Sequence, residues 1–122
     1  MSGEKRPLAV TIVSCVYIAV GAIGFVYHFR ELLSQPDGFK DAILVEAVEL
    51  AAIVCGAFML RGLNWARWGA IGWIALHVVL SAFHAVQEFA MHLLIGVVIA
   101  WALLRPESAR YFRGARAESP ED

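Results

Sequence analysis

Four apolar runs, at residues 8–27, 42–60, 65–84 and 88–104, limit this chain more than any other feature. Crossing about 30 Å of hydrocarbon takes roughly 17 to 25 apolar residues in a helix, and each run meets or nearly meets that length. The whole chain has 122 residues, 60% of them hydrophobic and only 17% charged. A soluble domain of this size carries about a quarter charged residues. Charges here collect at the ends and between the runs. The fold expected is therefore all-α, a four-helix transmembrane bundle in one domain (1–122) with a polar tail over 105–122. The first run is too long for a signal peptide and lacks a small-residue cleavage site, so it reads as a retained span.

The basic residues set an orientation. Lys5 and Arg6 precede the first run, Arg61 and Arg67 flank the second link, and Arg105, Arg110, Arg113 and Arg116 follow the fourth run. With four spans these all fall on one side, leaving Arg30 and Lys40 on the other. The positive-inside rule then puts both termini in the cytoplasm. Trp65 and Trp68 fall at the inner edge of the third span, where amphipathic rings favour the headgroup level. "QPDG" (Gln35 to Gly38) has turn chemistry, and the short third link predicts an antiparallel hairpin of spans three and four. The tail reads as a short frayed end whose basic half offers charge to anionic lipid. A formal net charge of -1, with no run of like charge, excludes a nucleic-acid role. Cys15 and Cys55 lie inside apolar runs without a CxxC pairing and read as small core residues. "GAIG" occurs at Gly21 to Gly24 and again at Gly69 to Gly72; its glycines suit close approach of helices in lipid.

The ionisable residues inside the runs carry the functional question. Glu46 and Glu49 lie within about 60° of each other on a helix and share a stripe with Ile53 and Gly56. His77 and His84 share a face of span three, and Glu88 and His92 share a stripe of span four. At 1.5 Å per residue, Glu49 lies about 11 Å and His77 about 10 Å below the outer edges of their spans, and Glu46 and His92 both lie near 6 Å. His84, Glu88 and His28 fall at the rim. A charge near a span centre costs roughly 2.5 to 3.5 kcal/mol, so two carboxylates cost on the order of 5. The nine Leu, Ile, Val and Phe residues of span two return roughly 4 kcal/mol in total. The acids should therefore face inward, with Glu49 opposite His77, Glu46 opposite His92, and His84 and Glu88 at the mouth.

Several chemistries fit such a cluster. The plainest is interhelical hydrogen bonding, worth about 0.6 kcal/mol per contact. A second is a transition-metal site drawing on Glu46, Glu49, His77, His84, Glu88 and His92, with His84, Glu88 and His92 spaced i, i+4, i+8. A third is haem b held by His77 and His92 in a redox subunit. The fourth, favoured here, is binding of a small ligand, cation or proton at an outer-side site. A transporter built on it would be a homo-oligomer, since one chain shows no inner half-pathway. A non-catalytic subunit of a larger membrane complex is a further class. Hydrolysis has the least support, because Ser14 and Ser81 lack any nucleophile context.

The link "LRGLNWARWGAIGW" (Leu60 to Trp73), with the closing "LLRPESARYFR", resembles small four-span bacterial membrane proteins of uncharacterised function that carry an Arg-Gly-x-Asn-Trp-Ala-Arg-Trp link. The resemblance implies a bacterial inner-membrane location and no particular activity. Within the link, Asn64 is placed to cap span three.

Overall fold

The structure is a computed structural model and describes residues 5–34 and 39–117. Among the described residues the chain is all-helical, with five helices and no strand: α1 (Leu8–Ser34), α2 (Phe39–Leu60), α3 (Asn64–Ser81), α4 (Val86–Leu104) and α5 (Pro106–Ala117). Three of them, α1, α2 from Lys40 and α4, are long and apolar enough to cross a membrane. Helices suit such sequences because every internal backbone group is bonded within its own segment. α3 has 18 residues, and Asn64, Arg67 and His77 lower its apolar character.

The helix limits differ from the sequence expectation in physically informative ways. α1 runs on through "HFRELLS" to Ser34, because nothing in that stretch breaks a helix. His28 therefore sits inside a helix that continues to Ser34. The expected "QPDG" turn lies outside the described residues. α2 ends in a Schellman motif. Gly62 takes a left-handed φ of 80°, its N–H donates to the Met59 carbonyl at 3.0 Å, and the Leu63 N–H donates to the Phe58 carbonyl at 3.2 Å. Leu63 then caps α3 in an extended conformation, with no side-chain cap bond. The expected Asn64 cap is not made; Asn64 is already helical, and its Oδ1 is buried without a partner. Between α3 and α4 the chain tightens, with Phe83 N–H on Leu80 O and His84 N–H on Ser81 O. His84 thus lies beyond α3.

Among the described residues of the tail, 106–117 form a helix where a frayed end is expected. Arg105 is extended (ψ 155°), Pro106 opens α5, and the Ala109 N–H returns to the Arg105 carbonyl at 2.9 Å. Proline suits a first helical position, because its missing N–H has no helical acceptor there. α5 packs across the basic end of the bundle. Phe112 is fully buried, and the Tyr111 hydroxyl donates to the Leu60 carbonyl at 2.8 Å. Arg6 donates to that same carbonyl at 2.9 Å, so the end of α2 is capped from both termini of the chain. Burial pushes the Tyr111 phenol up from its ordinary value of 10.0, partly offset by Arg6. The folded protein thus holds this proton more tightly than the unfolded chain does. Its contribution to α5 docking is complete below pH 10 and is lost as pH rises beyond it, which hydrogen exchange in α5 across an alkaline titration would show.

α1 and α2 form the most extensive pair, followed by α3 with α4 and α2 with α3. α1 and α2 run antiparallel, with Gly24 against Glu49 and Gly56 against Ser14, and so do α3 and α4, where Arg67 reaches the Leu103 carbonyl. The Tyr17 hydroxyl ties α1 to the Ala70 carbonyl of α3, and Trp73 Nε1 ties α3 to the Val48 carbonyl of α2. The core gathers toward the basic end, between Val10 and Tyr17 of α1, Ala52 and Met59 of α2, and the facing parts of α3 and α4. Small residues such as Ala52, Ala66 and Ala70 are fully buried there and let the backbones close in. Cys55 belongs to this core, as expected; Cys15 does not and lies exposed on α1, and both are free thiols. Beside this core lies a cavity lined from all four of the longer helices, and it is the site.

Candidate functional site

Glu49 sits ten residues into α2, about 15 Å along the helix from its first residue and close to mid-helix. It is one wall of a cavity of about 310 Å³. His77 of α3 and His92 of α4 line the same cavity, with the rings of Tyr17 and Trp73 and aliphatic side chains from α1 and α4. Tyr17, Ile74 and Ile99 belong both to the cavity wall and to the packed core, so the core forms its floor.

The hydrogen-bond roles decide what this cavity can accept. The Tyr17 O–H is committed to the Ala70 carbonyl at 2.6 Å, and the Trp73 N–H to the Val48 carbonyl at 2.8 Å. Each imidazole turns Nδ1 onto the carbonyl four residues earlier: His77 to Trp73 and His92 to Glu88, at 2.9 and 2.8 Å. A carbonyl only accepts, so Nδ1 carries the proton and Nε2 of the neutral ring is left as an acceptor. His28 and His84 repeat the pattern onto Gly24 and Leu80. With Glu49 ionised, the polar groups lining the cavity are thus acceptors, and its donors are already used.

The rings follow one another, tilted, along one wall. Trp73 and Tyr17 lie 5.2 Å apart, Trp73 and His77 3.9 Å, and His77 and His92 6.0 Å between centroids. The Glu49 carboxylate fills the space that a side chain at Gly24 would take, since a Cβ there would lie 2.7 Å from Glu49 Cδ. One of its oxygens, Oε2, is buried without a hydrogen-bond partner. His28, whose Nδ1 donates to the Gly24 carbonyl, stands on the same face of α1 as the glycine that Glu49 covers.

The structure brings together part of the expected cluster. Glu49 and His77 share the cavity, as the matched depths implied. His92 joins them there, whereas Glu46 is not among the cavity's lining residues. Glu46 is 8% exposed, with both carboxylate oxygens buried and unpartnered, so it faces the protein interior. His84 and Glu88 are exposed and do not line the cavity. The break between α3 and α4 separates His84 from Glu88 and undoes the i, i+4, i+8 stripe. Among the described residues, no group of three or more His, Cys, Asp or Glu side chains is placed to hold a metal ion. The expected six-residue shell is therefore not assembled.

Four contributors escaped the sequence reading. Tyr17 and Trp73 carry no role in the sequence reading, Gly24 reads there as a packing residue, and His28 falls at the rim. One signal was present: Gly24 and His28 are four apart on one face, and only a longer α1 gives that spacing meaning.

Fold and site together define an all-helical bundle, three of whose helices suit a bilayer, with an acceptor-lined cavity between α1, α2, α3 and α4. Comparison with known protein families, with curated proteins and with solved structures finds no match.

Proposed function

We propose that this chain is an integral protein of a bacterial inner membrane that binds a cation or a proton at the Glu49, His77 and His92 cavity. α1 to α4 cross the bilayer in this reading, and both termini lie in the cytoplasm. The observation that carries the binding site is the set of hydrogen-bond roles. A cavity whose donors are all spent on backbone carbonyls, and which keeps one carboxylate and two Nε2 acceptors, attracts positive charge and repels anions. Support for the orientation comes from the gathering of Arg6, Leu60, Arg67, Leu103 and α5 at one end, which joins the basic residues into one face. The cluster lies about 16 Å from Leu60 along α2, toward the opposite side. Carboxylates at such depth are costly, and a chain that keeps them inward-facing uses them.

Infrared difference spectroscopy of the purified protein checks the reading. Acidification is expected to produce a protonated carboxyl band that Glu49→Gln removes and that His77→Ala displaces. A spectrum identical in all three proteins would show that Glu49 takes up no proton and is coupled to no imidazole.

A further inference from the structure

The ligand class follows from the rest of the cavity wall, and this inference rests on the cation-binding reading. We propose that the cavity binds an organic ammonium ion that carries N–H bonds on an apolar body. An inorganic divalent ion needs several oxygen or nitrogen ligands in a closed shell. Among the described residues no group of three such side chains stands ready. What surrounds Glu49 instead is aromatic and aliphatic. Tyr17 and Trp73 are locked by their own hydrogen bonds, which fixes both rings in the wall. Ring faces attract ammonium groups, most strongly where water is excluded. Ile74, Ile95 and Ile99 give the hydrocarbon part of a ligand its contact surface.

The volume fits this class. About 310 Å³ lies at the small end of ligand cavities, enough for a single ring or a short branched chain. One carboxylate neutralises one charge, so a monovalent ion is matched and a dication is not. The acceptors argue for N–H bonds. Besides the carboxylate, His77 and His92 each keep Nε2 as an acceptor, and a quaternary ammonium would leave both unused. Glu49 Oε2 is buried without a partner against Gly24, so it adds negative charge beside the cavity. The carboxylate is held in place sterically, by the space above Gly24.

The test uses the full chain in lipid nanodiscs and three probes of similar shape. These are phenethylammonium, benzyltrimethylammonium, and the uncharged alcohol 3-phenylpropan-1-ol. Binding is read by calorimetry and by the fluorescence of Trp73 in a protein whose other three tryptophans are replaced by phenylalanine. Phenethylammonium is expected to bind and to perturb Trp73, with the quaternary ion about tenfold weaker. Glu49→Gln should weaken phenethylammonium by about thirtyfold or more. Gly72→Ala, where the added Cβ meets open space, should leave binding unchanged and serves as the folded control. The proposal is overturned if phenethylammonium fails to bind, if the alcohol binds equally well, or if Glu49→Gln has no effect on binding. The Glu49 carboxyl band separates the two levels. Loss of ammonium binding with that band intact removes the ligand class and leaves the proton or cation reading. Loss of both removes the site.

Discussion

Phe112→Ala is expected to loosen α5 from the bundle, lowering the free energy of its undocking by about 3 to 5 kcal/mol. The ring is fully buried and packs 5.1 Å from the Tyr111 ring. It also forms one face of an unusual environment for Arg67. That guanidinium is 8% exposed, lies 5.0 Å from the Trp68 ring centre and 5.2 Å from that of Phe112, and has a buried Nε without a hydrogen-bond partner. Removing the benzyl group opens a cavity and takes away one of two cation–π contacts, each worth up to about 2 kcal/mol when desolvated. α5 has only 12 residues, too few for an isolated helix to persist in water. Its helicity therefore depends on docking. Hydrogen exchange should show residues 109–114 losing protection while the α1 and α2 core keeps it. Unaltered exchange in α5 would mean that Phe112 does not hold it.

Gly21→Ala is expected to destabilise the α1 and α2 pair by about 1 to 3 kcal/mol. A Cβ at Gly21 would lie 2.6 Å from Ile53 Cγ1 and 2.7 Å from the Glu49 carbonyl oxygen. The second obstacle is backbone, so the two helices must separate to admit the methyl group. This loss opposes an intrinsic gain of about 1 kcal/mol for alanine over glycine inside a helix. Two other glycines sharpen the comparison. Gly72→Ala meets nothing within 4 Å and should be neutral or slightly stabilising. Gly24→Ala meets only the movable end of the Glu49 side chain, so its effect on stability should be smaller than that of Gly21→Ala. Its effect should appear in the carboxyl band instead, because the carboxylate must leave its place over Gly24. Thermal unfolding of the three variants in one detergent gives the order. Equal stability of Gly21→Ala and Gly72→Ala would refute the close approach.

The two "GAIG" copies show how far the letters carry. Both suggest close helix contact, yet only the first behaves as one unit. Gly21 and Gly24 both face α2, whereas in the second copy Gly69 lies under the Cys55 sulfur and Gly72 faces open space. Which glycine meets a neighbour depends on helix rotation, and rotation is set by partners distant in sequence. The same holds for the acids. That both turn inward was legible, because a carboxylate facing hydrocarbon costs more than span two returns. The depths also pair Glu49 with His77; what they did not show is that His92 would join that pair and Glu46 would stay apart. Glu46 and Glu49 lie only about 60° apart around the helix, yet Glu49 lines the cavity and Glu46 does not.

The sequence by itself determined the class of the molecule. Long apolar runs compel helices wherever water cannot satisfy the backbone, and the polar residues among them must turn toward protein. It also marked Glu49, His77 and His92, since these residue types at matched helical rise have few places to go. Tertiary structure alone decided the rest. Docking made a helix of residues 106–117, whose own composition promised only a loose tail, because Phe112 and Tyr111 find buried partners far back in the chain. The packing of α1, α2, α3 and α4 beside the core made a cavity out of what the spacing showed only as stripes. Its acceptor-only lining came from bonds such as Tyr17 to Ala70 and Trp73 to Val48, made between residues 53 and 25 positions apart. Helical periodicity fixes what lies on one face of one helix. It does not fix which donors a neighbouring helix consumes, and that is what gives this cavity its sign.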